Sequence, residues 1–418
     1  MRYTLLSFLC AATVIAYLQR SALGVPSKTI EGELGLTSQD MGLVWLAWYA
    51  GYAAFQIPAG WLADRLGSKP ALVAFAVLWS VLTAATGTAA DFTELWLLWG
   101  LMGVAQAGIF VCATKAISAR FPRTEQAFAS GALACCMAGG AALSQYVTGR
   151  LLGALTWQEI LALYMVPGLV WAVAFAYVVP SPEPPFVPEP EPDDFDAPPP
   201  PPPPPAPPVP WARLVTDRNM LLLCTQQFMR AGAVALFFTW FPRYLQEAFG
   251  VDKAESGRLA AWPLIAGMFG GLLGGTISDW LLRRTGRARL SRQGLAVAGT
   301  TVCAAVSLAA AFAADAPAVV ILVSVAGLCG YASGVSAYAI AITMGGRRVA
   351  IVFATMNMAG NVGAGLFPFA VGRLVGGTGN WNATLLLFAG MFAVSAVCWA
   401  LLNPKGALFE DSRTEEEP

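Results

Sequence analysis

The sequence predicts an all-α membrane protein: about twelve transmembrane helices in two pseudo-symmetric six-helix bundles, with both termini cytoplasmic. Three observations carry this. Of 418 residues, 57% are hydrophobic and only 12% charged, against roughly 25% charged in an ordinary soluble domain. Apolar runs of spanning length recur along the whole chain. A polar, proline-rich stretch divides those runs into two equal groups.

A span requires about 20 mainly apolar residues. Such runs lie near 5–23, 41–62, 71–90, 94–118, 125–151 and 157–179, then near 219–246, 256–281, 291–314, 317–344, 347–375 and 381–402. The first could pass for a secretory leader, but it carries Gln19 and Arg20 and lacks a small-residue cleavage site, so it reads as a mature helix. Lys and Arg placement sets the orientation, because basic residues collect in cytoplasmic loops. With the N-terminus inside, those loops hold Arg2, Arg65, Lys69, Arg120, Arg123, Arg213, Arg218, Arg283, Arg284, Arg287, Arg289, Arg292, Arg347, Arg348, Lys405 and Arg413. The outer loops hold only Lys28, Arg150, Arg243, Lys253, Arg258 and Arg373.

The expected organisation is an N-terminal bundle over 1–180, a cytoplasmic linker over 181–212, a C-terminal bundle over 213–404 and an acidic cytoplasmic tail over 405–418. The linker is acidic, and its residues 198–205 are all proline; polyproline II makes such a segment a stiff, solvated spacer. The two bundles echo one another. Gly60-Trp-Leu-Ala-Asp64-Arg65-Leu-Gly67-Ser-Lys69 closes the second span, and Gly275-Thr-Ile-Ser-Asp279-Trp-Leu-Leu-Arg283-Arg284-Thr-Gly286 closes the eighth. Internal repetition on this scale is typical of transporter folds.

Composition also excludes function classes. The 25 basic and 25 acidic side chains cancel, and no basic block interleaved with aromatics suggests nucleic acid. The chain has no His, and its 8 Cys lie in apolar stretches without CxxC spacing; they read as core residues, and no metal or cofactor is expected. No nucleophile, base and orienting group converge in any motif, so an enzyme is not expected.

Ionisable groups inside spans are costly and mark function. Three candidates stand out: Arg20, about fifteen residues into the first expected helix, Arg230, about eleven into the seventh, and Lys115 near the end of the fourth. No Asp or Glu sits deep in any expected span, so the arginines have no obvious ion-pair partner. A guanidinium stays charged and presents a planar fork matched to carboxylate or phosphate. A cavity holding such groups without a buried acid suits a small organic anion. Lys115 lies five residues before Arg120 and reads as snorkelling to the inner surface.

The Gly60, Asp64, Arg65, Gly67, Lys69 motif after a membrane span resembles the loop motif of the major facilitator superfamily. Within it the chain is most similar to the anion:cation symporter family of organic-anion and sugar-acid transporters. The matching stretches are Tyr17-Leu-Gln-Arg20, Gly51-Tyr52-Ala-Ala-Phe-Gln56-Ile-Pro58, Arg120-Phe-Pro-Arg123-Thr-Glu125, Trp240-Phe-Pro-Arg-Tyr-Leu245 and Gly360-Asn361-Val-Gly363. The resemblance implies a monomeric inner-membrane transporter working by alternating access. Asp64 and Asp279, with Arg283, Arg284, Arg120, Arg123 and Glu125, would form gating contacts made when the inner side is closed; the plainer alternative is that they end helices and fix topology.

The resemblance also implies a substrate site at Arg20 with Tyr17, Tyr52 and Gln56 around it. Gln106, Ser336, Tyr338, Asn357 and Asn361 could supply further hydrogen bonds, although small polar residues also join helices. Arg230 either joins the site or lines its entrance. The family usually carries acids where this chain has Gln19 and Gln106, and Gln cannot take up a proton near neutral pH. Proton symport is therefore in doubt, leaving Na⁺ coupling, exchange against a counter-anion, or export. Two other readings remain open: exchange of a phosphate ester for phosphate through Arg20 and Arg230, and a membrane sensor that binds the anion without moving it.

Overall fold

The structure is a computed structural model, and it describes residues 2–121, 123–180, 216–287, 289–345 and 349–403. The expected linker and tail lie outside the described residues. The chain is helical nearly throughout: α1 (Arg2–Arg20), α2 (Ser27–Leu34), α3 (Ser38–Leu66), α4 (Ser68–Thr86), α5 (Phe92–Gln106), α6 (Gly108–Arg120), α7 (Arg123–Leu151) and α8 (Trp157–Val178) come first. After the linker follow α9 (Arg218–Phe238), α10 (Phe241–Phe249), α11 (Lys253–Thr285), a π-helical turn (Arg289–Gly294), α12 (Leu295–Ala310), α13 (Ala316–Gly345), α14 (Val349–Thr378) and α15 (Trp381–Leu401).

Polar residues flanking the apolar runs start these helices. Thr37 with Asp40 and Thr156 with Glu159 form reciprocal capping boxes at α3 and α8. The side chains of Asp91, Asp217 and Asp252 accept from first-turn amides of α5, α9 and α11, satisfying donors that have no partner within the helix.

Ten helical stretches among the described residues are long and apolar enough to cross a membrane. The two remaining expected spans, near 41–62 and 125–151, are occupied by α3 and α7, which have 29 residues each. Several expected spans are broken. The first ends at Arg20, and residues 21–26 run on as buried turns before the short α2. The fourth breaks at Ala107 into α5 and α6, and the seventh at residues 239–240, where Pro242 opens α10. Periodicity does not mark such breaks, because the apolar character continues across them.

Within the first eight helices, α1 packs on α7 and α8, α3 on α5, and α4 on α5 and α8; in the second set α9 packs on α14 and α15, and α13 on α11 and α12. The sets meet along two seams, α7 with α11 and α3 with α14. The α7–α11 seam opens progressively. A Cβ on Gly257 would lie 2.3 Å from the Gln145 carbonyl, one on Gly139 would be 3.9 Å from Met268 Sδ, and one on Gly131 or Gly271 would meet nothing within 4 Å. The two sets thus touch at the end holding α2 and α10 and part toward the end where α1 begins and α15 finishes.

Candidate functional site

Arg20 is the last residue of α1, where a cation also complements the negative end of the helix dipole. It is half-buried. Its Nη1 donates to the Tyr17 hydroxyl at 3.1 Å, and the guanidinium carbon sits 3.8 Å from the centre of the Trp48 ring, 4.9 Å from that of Tyr49 and 5.0 Å from that of Tyr17. No acid pairs with it among the described residues. Three aromatic faces hold the cation electrostatically while leaving N–H donors in its plane available to an anion.

The helix spacing of α3 extends this cage into a ladder. Trp48 stacks on Tyr52 at 5.0 Å and 15°, and Gln56 follows one turn later; these positions recur at i, i+4 and i+8 on one face. The Trp48 backbone is fixed by α5, since a Cβ on Gly103 would lie 2.1 Å from the Trp48 carbonyl oxygen. Only glycine permits that approach. Tyr17 also meets Phe238 of the second set edge-on at 6.3 Å, so the cage lies on the seam between the sets.

Gln19 and Gln106 are placed beside this site but spent elsewhere. Gln19 is fully buried and its Nε2 donates to the Tyr164 carbonyl at 2.7 Å and Ser80 Oγ at 3.4 Å. Gln106 donates to the Ala16 carbonyl at 3.0 Å. Each amide ties α1 to a neighbour by giving a proton to a backbone oxygen, which a carboxyl could do only while protonated. Gln106→Glu is therefore expected to create a pH dependence of stability: a melting temperature near wild type in acid, falling as the pH is raised and the carboxylate faces the Ala16 carbonyl. A pH profile of the melting temperature checks this, and a profile parallel to wild type contradicts it.

Arg230 lies across the seam on α9, 8% exposed, and its Nε and Nη2 share one acceptor, Gln227 Oε1, at 3.3 and 3.1 Å. It likewise has no acid partner among the described residues. Tyr338 of α13 faces Phe353 at 5.3 Å. Ser336 is buried, while Asn357 and Asn361 are half-buried one turn apart on α14; no contact joins these three to Arg20.

Of the loop-motif residues, Gly67 closes α3 with φ 89° and Arg65 lies over the Trp61 ring. Gly60 has space around it apart from Val111 at 3.5 Å, and Lys69 and Arg120 share one small pocket. Arg120 donates to the Pro180 carbonyl at 2.7 Å. Asp279 and Arg283 are exposed, and Arg284 lies over Trp280, as fits an open seam at that end. The side chains of Asp64, Arg123 and Glu125 lie outside the described residues. Lys115 is half-buried and donates to the Ala63 carbonyl at 3.0 Å, in the last turn of α3, as fits a side chain that runs toward the end closed by the loop motif.

Sequence reasoning missed the network that closes the opposite end. Arg243 of α10, 5% exposed, pairs with Glu31 of α2, donates to Ser38 Oγ at 3.0 Å and pairs with Glu247 at 2.9 Å. Lys28 lies 3.6 Å from Glu247, Trp381 Nε1 donates to Glu247 at 2.8 Å, and Gln246 donates to the Val25 carbonyl at 3.1 Å. Trp45 packs edge-on against Trp240 at 4.6 Å just beneath. Burial holds the Glu31 carboxyl above the usual carboxylate range, against the opposing pull of Arg243. The one signal available in sequence was a basic residue inside an apolar run, Trp240-Phe-Pro-Arg243.

Comparison with known proteins agrees with this architecture. The chain is 29% identical over 406 residues to the "Probable sulfoacetate transporter SauU" of Cupriavidus necator, covering 96% of this chain and 94% of that one. It is 27% identical over 419 residues to the "Probable galactarate/D-glucarate transporter GudP" of Escherichia coli, covering 95% and 92%, and 28% identical over 396 residues to the Hexuronate transporter of Bacillus subtilis, covering 93% and 92%. These relatives are transporters, not enzymes. The crystal structure of a bacterial homologue of the human lysosomal transporter Spinster, described as inward-facing and occupied, superposes with a TM-score of 0.79 at 17% identity, covering 96% of both chains; at that identity the likeness concerns the fold alone. The sequence profile of the Major Facilitator Superfamily matches residues 9–299. Helices of spanning length, two sets meeting at a polar seam and this match lead to one conclusion: the chain is a multi-pass membrane protein belonging to the Major Facilitator Superfamily.

Proposed function

We propose that this protein carries a small organic anion, a carboxylate or sulfonate, across the inner membrane by alternating access, with Arg20 as the anion clamp. The observation that carries the reading is Arg20 itself, a cation on the seam between the helix sets, caged by Tyr17, Trp48 and Tyr49 and without an acid partner among the described residues. The names of the sulfoacetate and sugar-acid relatives support the same substrate class. Lys and Arg placement puts both termini in the cytoplasm, so the described conformation opens inward and is sealed outside by the Arg243 network.

The driving force follows from the glutamines. Moving one negative charge inward against 100 mV costs about 2.3 kcal/mol, and Gln19 and Gln106 cannot supply a compensating proton. Exchange of one anion for another avoids that cost. The test is counterflow in proteoliposomes loaded with sulfoacetate, galactarate or a hexuronate, with pH, Na⁺ and potential varied. Uptake is expected to follow trans-anion and to ignore an imposed pH gradient. Uptake that tracks the proton gradient would sink the exchange reading, and exchange restricted to phosphate esters would sink the organic-acid reading.

A further inference from the structure

Between Asp279 and Asp315 the chain holds Arg283, Arg284, Arg287, Arg289 and Arg292 and no acid. Basic residues beside a span set its orientation, a task they can perform scattered in water. Here three of them converge instead. Arg287, Arg289 and Arg292 line a groove of about 800 Å³ at the start of α12, and no acid among the described residues lines it. In the orientation proposed above, the groove lies at the inner face of the membrane.

The π-helical turn Arg289–Gly294 builds the charged part of this groove, and its neighbours hold it in place. Ser278 Oγ of α11 donates to the Ser291 carbonyl at 3.1 Å. Gln293 Nε2 donates to the Trp399 and Leu402 carbonyls at the end of α15, each at 2.6 Å. The arginines are oriented by the same contacts: Arg289 Nε donates to Gln293 Oε1 at 3.1 Å, and Arg292 Nη1 to Thr343 Oγ1 of α13 at 3.0 Å. Each of these two guanidinium groups is anchored through one nitrogen and keeps most of its five donors. A planar fork held in this way is matched to phosphate.

The rest of the lining is mostly apolar, with Leu290, Val297 and Ile340 in it. Val297 lies beyond Arg292 by a rise of about 7 Å, inside the spanning stretch Arg289–Ala310. The groove therefore joins charge at the water boundary to hydrocarbon-facing surface. Leu290 is 47% exposed and Trp280 of α11 50%, and tryptophan favours the headgroup level. A soluble phosphate ion would answer the arginines and leave the apolar lining against water. A phospholipid answers both. A zwitterionic headgroup would bring a cation of its own among the arginines, which an anionic headgroup does not.

We propose that this groove binds an anionic phospholipid of the inner leaflet, with its phosphate on Arg287, Arg289 and Arg292 and an acyl chain along Leu290, Val297 and Ile340. The π-helical turn is tied to α11, α13 and α15, so an occupied groove braces one end of the second helix set and stabilises the folded protein. The groove is built from other residues than the Arg20 site, and the inference holds whichever anion is transported.

The test uses full-length protein in detergent, given phosphatidylglycerol or phosphatidylcholine of identical acyl chains and read by native mass spectrometry and melting temperature. Phosphatidylglycerol is expected to bind at least about tenfold more tightly and to raise the melting temperature by about 3 °C or more. Arg287→Gln with Arg289→Gln, which alters two exposed side chains, is expected to melt near wild type without lipid and to lose the preference. Arg287→Gln alone should give a smaller loss in the same direction. Arg283→Gln with Arg284→Gln, equal in charge but outside the groove lining, should keep the preference, as should Arg20→Gln.

Equal binding of the two lipids by wild type overturns the inference. So does an equal loss in the two double variants, which reduces the site to diffuse charge. Stabilisation by inorganic phosphate or glycerol 3-phosphate that vanishes in Arg287→Gln with Arg289→Gln overturns it in favour of a soluble anion. A preference that appears only when Glu415, Glu416 and Glu417 are changed to Gln overturns it in favour of the acidic tail, which follows α15 just past Ala400 of the lining.

Discussion

Replacing Arg20 by Gln is expected to lower anion exchange by roughly 10²–10⁴-fold. A charge-assisted hydrogen bond contributes about 1.5–3 kcal/mol, a planar guanidinium can give two to one acidic group, and a tenfold change corresponds to about 1.4 kcal/mol. Arg20→Lys keeps the charge but loses the fork and the stacking on Trp48 at 3.8 Å, so an intermediate loss is expected. The initial rate of counterflow measures both. The cage is built by the backbones of α1 and α3, so melting temperatures near wild type should accompany the loss. Full exchange in Arg20→Gln would remove the clamp from the proposal.

The second large effect is conformational. Arg243→Leu is expected to destabilise the closed outer end, because it removes the cation shared by Glu31 and Glu247 and leaves the exposed Lys28 as a charge beside Glu247. Removing one partner of a buried pair costs about 3–5 kcal/mol. With all of that falling on the closed state, the equilibrium moves by roughly 10²–10⁴-fold toward the outward-open form. Spin labels at the exposed Gly32 and Ala248, on opposite sides of the network, report this as a lengthened distance in double electron–electron resonance.

The direction of the pH response is fixed by Glu31. Burial raises its carboxyl in the closed state above the usual carboxylate range, while an open outer end returns it to water. The closed state therefore binds the proton more tightly, and acidification favours closure. In Arg243→Leu the opposing pull of the guanidinium is gone, so mild acid should restore the short distance. An unchanged distance distribution at neutral pH would show that the tryptophan contacts alone hold the outer end.

Much of the fold was legible in the sequence because transfer into lipid is a local property, read from any window of about 20 residues. The spans around α4, α8, α13 and α15 need no long-range information. The breaks at residues 21–26, Ala107 and 239–240 were not legible, since helix and buried turn draw on the same apolar residues there.

By itself the sequence determined that the chain spans a membrane repeatedly, that it carries a repeated loop motif, and that two arginines lie inside it without acids of their own. Those are matters of composition and of the high cost of charge in hydrocarbon. The tertiary structure alone decided what surrounds each charge. The aromatic cage of Arg20, the diversion of Gln19 and Gln106 to backbone carbonyls, and the Glu31–Arg243 closure join residues far apart in the chain. Their meeting depends on how each helix is rotated and how closely glycines such as Gly103 let it approach, and no property of a single segment records that.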